Sequence, residues 1–423
     1  MSTYENYKSV DSFWFKKIPS HWKVTKNKFV FSEDKKVVGE NWKEYTLLTM
    51  GKSGVKPRDM DGGGKFPESF ENYQTVTPGQ IIFCLFDIDE TPRTVGLSKN
   101  HGMITSAYNV FSVNAENDPK YWTYFYQMID DHKGLRPFYT GLRKVVRSDT
   151  FMAIEVFLPP INEQQLISQY LDKKTQHIDL LIGKIQKRIE LLKEQRNSII
   201  NQCVTKGLNR NVVMKNTGVD WIGEIPQHWE LSPMFTLFNE NKDKNKEGSL
   251  EVLTLSYGKI KYRDLSKLEG LYPDSFDGYQ MVDVNTIIIR STDLQNDHKS
   301  LRVGYVGLKG VITSAYLGLN PKNFANTKFY YYSIHLADLK KVLYGLGGGL
   351  RQSLRFDDFK WFPIITPPLD EQNEISKHLD NIDSKTELIV EKLEKRLVLL
   401  NEYRHSLIST VVTGEFLITE DMV

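Results

Sequence analysis

Two stretches of the chain carry apolar residues at alternating spacings of four and three, the pattern that holds one helix face against a neighbouring helix. The first reads Ile178, Ile182, Ile185, Ile189, Leu192, then Arg196, then Ile199 and Cys203; the second reads Val390, Leu393, Leu397, Leu400, then Arg404, then Leu407 and Val411. Each predicts a long helix with a coiled-coil seam, interrupted once by an arginine at the same level. Pro159-Pro160 and Pro367-Pro368 stop the strand before each helix, and Asn162 and Asp370 are placed as N-caps ahead of acidic and amide residues suited to a first turn. Gly207 and Gly414 are placed to end the helices. At about 1.5 Å per residue, the span from Asn162 to Cys203 makes a rod of roughly 60 Å. Ahead of each helix the pattern changes. Short β-rich runs such as Val76 to Phe83 and Val282 to Ile289, with glycine-rich loops and frequent aromatics, predict a mixed α/β domain built on a large sheet. Gly79 and Asn285 fall at matching places before those runs and tolerate positive φ.

The matching is general. Ile104-Thr105-Ser106-Ala107-Tyr108 recurs as Ile312-Thr313-Ser314-Ala315-Tyr316, an offset of 208 shared by Pro159-Pro160-x-x-Glu163-Gln164 with Pro367-Pro368-x-x-Glu371-Gln372. Gly141-Leu142-Arg143 and Arg147 likewise return as Gly349-Leu350-Arg351 and Arg355. Pro67 to Gln74 pairs with Pro273 to Gln280, and Ile18-Pro19-x-His21-Trp22 with Ile225-Pro226-x-His228-Trp229. Five blocks in the same order make the chain a tandem duplication with an internal pseudo-two-fold repeat. The boundaries that follow are a first domain over 1–158, a helix over 159–207, a linker and second domain over 208–366, and a helix and tail over 367–423. The simplest partner for each seam is the other, antiparallel; helices packed on their own domains, or seams shared between two chains, are the alternatives. This is an α/β (α+β) architecture of two domains and a paired-helix spacer.

Composition narrows the function only a little. The 423 residues carry 55 Lys+Arg against 53 Asp+Glu, so a polyanion-binding surface has to come from local sorting of charge. Two cysteines, Cys84 and Cys203, frame neither a secreted fold nor a zinc site, and no run is apolar enough for a signal sequence or membrane span. A cytoplasmic protein is the expectation, with no membrane partner.

Catalytic motifs are missing. Gly62-Gly63-Gly64-Lys65 is followed by Phe66 and lacks the spacing of a phosphate-binding loop, and Gly345 to Leu350 ends in leucine without opening a βαβ unit. Asp87, Asp89 and Glu90 offer carboxylates to a hard cation, but Ser291-Thr292-Asp293 keeps little of that set, so no metal is expected. His21 and His228, each beside a tryptophan, are read as packing and hydrogen-bonding groups. By contrast, basic clusters recur on loops of both domains. They are Lys52, Lys56 and Arg58; Arg93 and Lys99; Arg143, Lys144 and Arg147; and, in the second domain, Lys259, Lys261 and Arg263; Arg290, His298, Lys299 and Arg302; Arg351 and Arg355. Several such clusters with Tyr, Ser, Thr and Gln between them suit phosphate anchoring and base-edge hydrogen bonding. Positions identical in both copies, such as Thr105/Thr313 and Tyr108/Tyr316, are scaffold; Arg143/Arg351 and Arg147/Arg355 are shared phosphate anchors. The loops that diverge, 51–66 against 258–270 and 87–100 against 291–309, are the candidates for reading bases.

Two globular domains, each followed by a helix opened by Pro-Pro-x-x-Glu-Gln, resemble the DNA specificity (S) subunit of type I restriction-modification enzymes. Gly218-Val219-Asp220-Trp221-Ile222-Gly223-Glu224-Ile225-Pro226-x-His228-Trp229, the run Pro367 to Gln372 and the Val412-Thr413-Gly414 ending look like signatures of that family. The N-terminal copy departs from them, with Ser12 to Lys17 before Ile18-Pro19. The resemblance implies two target recognition domains that each read half of a split, asymmetric double-stranded DNA site, and a helical spacer that docks two modification (methyltransferase) subunits. It also implies restriction/translocase partners, no catalytic centre or cofactor on this chain, and S-adenosylmethionine, ATP and Mg on partner subunits. A self-sufficient restriction or methyltransferase enzyme with the same recognition architecture, and a coiled-coil scaffold with no DNA role, are the alternatives; the former needs a catalytic domain for which the chain has no room.

Overall fold

The computed structural model describes residues 3–51, 54–59, 67–141, 144–246, 248, 251–265, 275–294, 297, 300–322, 326–346 and 353–423. They form two compact units, Met1–Ile185 with Glu394–Val423, and Gln186–Leu393. Each unit therefore holds one globular domain, the beginning of the long helix that follows it, and the end of the other long helix.

In the first unit a four-stranded antiparallel sheet has the order Phe31–Asp34, Asn109–Val113, Ile81–Phe83, Val95–Leu97. The second unit repeats it as Phe238–Glu240, Leu317–Pro321, Ile287–Ile289, Val303–Tyr305. The central strands read Ile-Ile-Phe and Ile-Ile-Ile without alternation because both faces of the sheet are covered. Ile81 and Phe83 point into the main core with Trp122, Phe125, Tyr126 and Phe151, while Ile82, one residue out of phase, joins a smaller cluster with Leu48, Val76, Ile104 and Val110. Ile287 and Ile289 face Phe329, Tyr330 and Ile334, and Ile288 faces Leu253, Val282 and Ile312. Gly79 and Asn285 adopt positive φ in the turns ahead of these strands, as their residue types allow.

The repeated blocks turn out to be one joint seen from two sides. The strand starting at Gln74 pairs with Gly102–Ile104, and the Gln74 amide nitrogen donates to the carbonyls of Thr105 and Tyr108. Gln280 does the same to Thr313 at 3.0 Å and Tyr316 at 2.7 Å. A buried glutamine thus closes the Ile-Thr-Ser-Ala-Tyr turn in each domain, which is the scaffold role expected of those positions. The N-terminal departure also resolves into likeness. Tyr7–Ser9 pairs with Lys17–Pro19 just as Met214–Asn216 pairs with Glu224–Pro226, so only the connecting loops differ.

The long helices run over Ile161–Lys206 and Leu369–Val412. They begin one residue before the expected caps. Gln164 N–H already donates to Pro160 O and Gln372 N–H to Pro368 O, so Asn162 and Asp370 lie inside the first turn and the prolines hold the cap position. Gly207 and Gly414 end the helices at φ of 71° and 72°. The helices pair antiparallel within each unit. In the first, Ile178 shares a core with Leu407, Ile408 and Val411; in the second, Ile200, Cys203 and Val204 share one with Ile375 and Leu379. The expected seam is followed along the middle of the helices: Ile178, Ile185 and Ile189 are buried, and Ile182, Leu192, Val390, Leu393, Leu397 and Leu400 half-buried. Towards each C-terminus the stripe widens because a domain covers the helix as well as its partner, and the fully buried residue is Ile200 rather than Ile199.

Both seam arginines find an aspartate on the opposite helix. Arg196 binds Asp383 in a fork, Nε to Oδ1 at 2.7 Å and the terminal nitrogen to Oδ2 at 2.9 Å, with the Tyr332 hydroxyl 3.1 Å from Oδ2. In the other copy Thr175 stands at the position of Asp383, and Arg404 reaches Asp179, one turn further along, through a single 3.0 Å bond.

Two of the arginines expected on DNA-reading loops are not free there. Arg302 is fully buried, and all five guanidinium hydrogens are used: Nε on the Tyr344 hydroxyl at 3.0 Å, the others on the carbonyls of Arg290, Thr292, Asp293 and Asp297 at 2.7–3.1 Å. It is an internal template for the described residues 290–294 and 297, and reaches no solvent. Arg93, with only 15% of its side chain exposed, is held by Asp131 at 2.9 Å and Asp130 at 3.4 Å. The physical reason is strand phase. The repeat offset aligns Arg302 with Thr94, an inward position, and Arg93 with Leu301.

Asp383→Ala is expected to cost about 2–3 kcal/mol by stranding a part-buried guanidinium, with most of the loss recovered in the Arg196→Met/Asp383→Leu pair. Asp179→Ala, at an exposed carboxylate, should cost under about 1 kcal/mol. Urea unfolding of the three variants checks this, and equal losses for the two alanines would contradict it. Arg302→Met takes the guanidinium donor away from four carbonyls and should cost about 3 kcal/mol while opening the segment that bears them to limited proteolysis. A variant as protease-resistant as the parent would remove the template role.

Candidate functional site

The surface candidates lie on segments that the fold brings together in each domain. In the second, the hairpin Leu253–Ser256/Lys259–Tyr262 turns at Tyr257-Gly258, and a Cβ on Gly258 would come within 3.2 Å of Leu301 at the end of the 290–301 loop. The same loop is bonded to the segment ahead of Arg355, Leu354 N–H donating to Ser291 O at 2.8 Å. Hairpin, loop and the start of the short helix Phe356–Phe359 are therefore neighbours. In the first domain the hairpin Leu48–Gly51/Gly54–Pro57 packs through Val55 on Gly96, and Val146 N–H donates to Leu85 O beside the 87–93 loop.

The individual cations differ in exposure. Lys56, Arg58, Lys99 and Arg147 are exposed in the first domain, and Lys261 and Arg355 in the second, where Arg355 makes one loose 3.4 Å contact with Asp358. Lys259 is exposed but ion-paired at 2.7 Å with Glu387 on the second long helix. Arg263 is half-buried, and Arg290 pairs with Asp297 at 3.2 Å. Lys144 is taken up by Asp89, which also accepts from Arg136 at 2.8 Å and from the Tyr139 hydroxyl at 3.1 Å. Hydrogen bonds from Arg136 and Lys144 hold the Asp89 carboxyl down at about 2, so this acidic loop is an anchor for neighbouring cations. Lys52, Arg143, His298, Lys299 and Arg351 lie outside the described residues, as do Gly62 to Lys65 and most of the Gly345 to Leu350 run. Among the described residues no group of His, Cys, Asp and Glu is arranged to hold a metal ion, and no helix is long and apolar enough to cross a membrane.

A second site, which couples each globular domain to the helix that follows it, is more fully built. Glu163, from Pro-Pro-x-x-Glu-Gln, accepts from the Trp22 indole at 3.0 Å and lies 2.6 Å from the His21 ring; Glu371 meets Trp229 and His228 at the same two distances. Next to each glutamate, Gln164 and Gln372 are buried and tie the helix start to Asn117 and Asp118, and to Asn326 and Tyr330. The hydrogen-bonding partner of each histidine lies on the long helix that follows its domain. The recurrence of Ile-Pro-x-His-Trp and Pro-Pro-x-x-Glu-Gln in the same order was the available signal that the two motifs meet.

The type I restriction modification DNA specificity domain matches residues 229–397. Among curated proteins the chain is similar to the putative type I restriction enzyme MjaX specificity subunit of Methanocaldococcus jannaschii, 28% identical over 58% of this chain and 57% of that one. It is also similar to the type I restriction enzyme MjaVIII specificity subunit of the same organism, 25% identical over 61% of this chain and 63% of that one. The chain thus spans a little over half the length of the curated relatives it matches. A chain solved in work on complex assembly and conformational transition of a type I restriction-modification system shares the fold, with a TM-score of 0.62, 13% identity, and coverage of 94% of this chain and 99% of that one. The specificity-domain match over residues 229–397 and the two specificity subunits it is similar to agree with the resemblance to the DNA specificity subunits of type I restriction-modification systems, and the fold is shared with a chain of such a system.

Proposed function

We propose that this chain reads a bipartite, asymmetric site on double-stranded DNA, one half with each domain, and holds two methyltransferase subunits over it. Restriction/translocase subunits complete the assembly, and S-adenosylmethionine, ATP and Mg work on the partners. The observation that carries this reading is the division of labour between identical and divergent positions. The Gln74/Gln280 turn clamps and the Glu163/Glu371 joints are the same in both copies, whereas the hairpin tips and adjoining loops differ. A frame built twice offers one docking geometry twice. Loops that differ upon it give each half-site its own sequence. Arg147 and Arg355, exposed and each immediately ahead of a short helix, are the shared phosphate contacts.

Exchanging residues 230–362 for the corresponding region of a relative should change one half of the methylated sequence and leave the other intact. Simultaneous change in both halves would sink independent reading. Arg147→Ala and Arg355→Ala should each weaken specific and non-specific binding alike and lower the salt slope by about one. An unaltered slope in both would remove them from the DNA surface. The measurement is filter binding or fluorescence anisotropy of the assembled complex across a range of salt concentrations.

A further inference from the structure

The hairpin of the second domain carries a residue that folding alone does not favour. Its register places Ser256 opposite Lys259, so the loop is only Tyr257 and Gly258, and both have positive φ, 50° and 76°. This is the type I′ geometry, which Asn, Asp and Gly enter readily and a ring-bearing L residue does not. Burial does not compensate Tyr257, which is 88% exposed. The tip is nonetheless firmly seated. Gly258 lies so close to Leu301 that a side chain would crowd it, and Lys259 is ion-paired with Glu387. The ring is thus held outward at the tip of a seated hairpin whose second strand also exposes Lys261 and Tyr262.

The first domain has the same hairpin with the same two-residue loop, Gly51 opposite Gly54. Lys56 and Arg58 match Lys261 and Arg263, whereas the two residues between the paired strands read Lys52-Ser53 in the sequence of one copy and Tyr257-Gly258 in the other. The frame is kept and the tip chemistry is changed. A two-stranded ribbon fits the major groove of B-DNA, where a tyrosine offers a ring face to a thymine methyl and a hydroxyl to base-edge donors and acceptors.

Resting on the specificity-subunit reading, we infer that Tyr257 is a base-reading residue of the second half-site, retained in a strained conformation for that contact. Tyr257→Asn separates this from a packing role because Asn-Gly is the preferred pair for such a turn. The chain and this variant, each purified with its methyltransferase subunits, are incubated with a duplex library randomised in both half-sites, and the bound fraction is sequenced. Thermal melting of each is recorded alongside. The expected result is an equal or higher melting temperature for the variant, with discrimination at one or two positions of the second half-site reduced by about tenfold or more and the first half-site unchanged. Wild-type discrimination retained by the variant overturns the assignment of Tyr257 alone. So does a lower melting temperature, which would make the ring a packing element. A parent complex that enriches no bipartite sequence overturns the specificity reading itself.

Discussion

Each unit is organised around one tryptophan. Trp22 and Trp229 are buried, and each does three jobs at once: it fills the base of a domain, donates its indole N–H to the glutamate that opens one long helix, and lies against the glycine that ends the other. Gly414 is so close to Pro19 and Trp22, and Gly207 to Trp229, that a Cβ would approach within 2.6 Å and 3.0 Å. A helix stop and a helix start are therefore registered to the same ring. Everything outward from that joint follows: the helix direction, the antiparallel pairing, and the level at which Arg196 and Arg404 meet their aspartates. Both glycines combine positive φ with no room for a side chain, so a substitution at either is strained twice over.

Duplication gives two copies of this joint but not two equal copies of everything attached to it. Tyr124 and Tyr332 occupy the same repeat position, and their hydroxyls lie 2.8 Å from Asp172 and Asp380 respectively. One turn on, Thr175 in the first copy and Asp383 in the second part company, and the helix-to-helix ion pair moves with them. The polar content of the seam is thus asymmetric where its apolar content is not. Burial beside Asp383 and Asp380 also pushes the Tyr332 hydroxyl well up, so it remains a proton donor to that cluster across the whole working range of pH.

Much of this was legible in the sequence because it is periodic or duplicated. The four-three spacing located the helices, Gly207 and Gly414 their ends, and the paired blocks the scaffold. What stayed hidden had no period to show it. Arg302 and Arg93 look alike as cations near a strand, and only the phase of that strand turns one into an internal template and the other into a partner of Asp130 and Asp131. The shift from Ile199 to Ile200 arises where a domain is added to the helix pair, which a two-helix pattern does not anticipate. Charge draws attention to Lys259 and Lys261 just after the turn and away from Tyr257, whose only mark in the sequence is its place among two residues between two β-runs.

The split composition of the first unit bears on how the protein is made. Synthesis runs from the N-terminus, so residues 1–185 emerge long before 394–423, the pieces that complete them. At about 5–20 residues per second the gap between them is roughly 10–40 s. During that time Gly414 is absent from Trp22, and Ile178 lacks Leu407, Ile408 and Val411. The second unit, continuous in sequence, can close without waiting. The half of the molecule translated first is thus the half finished last, and its apolar helix face must survive the interval uncovered in the cell.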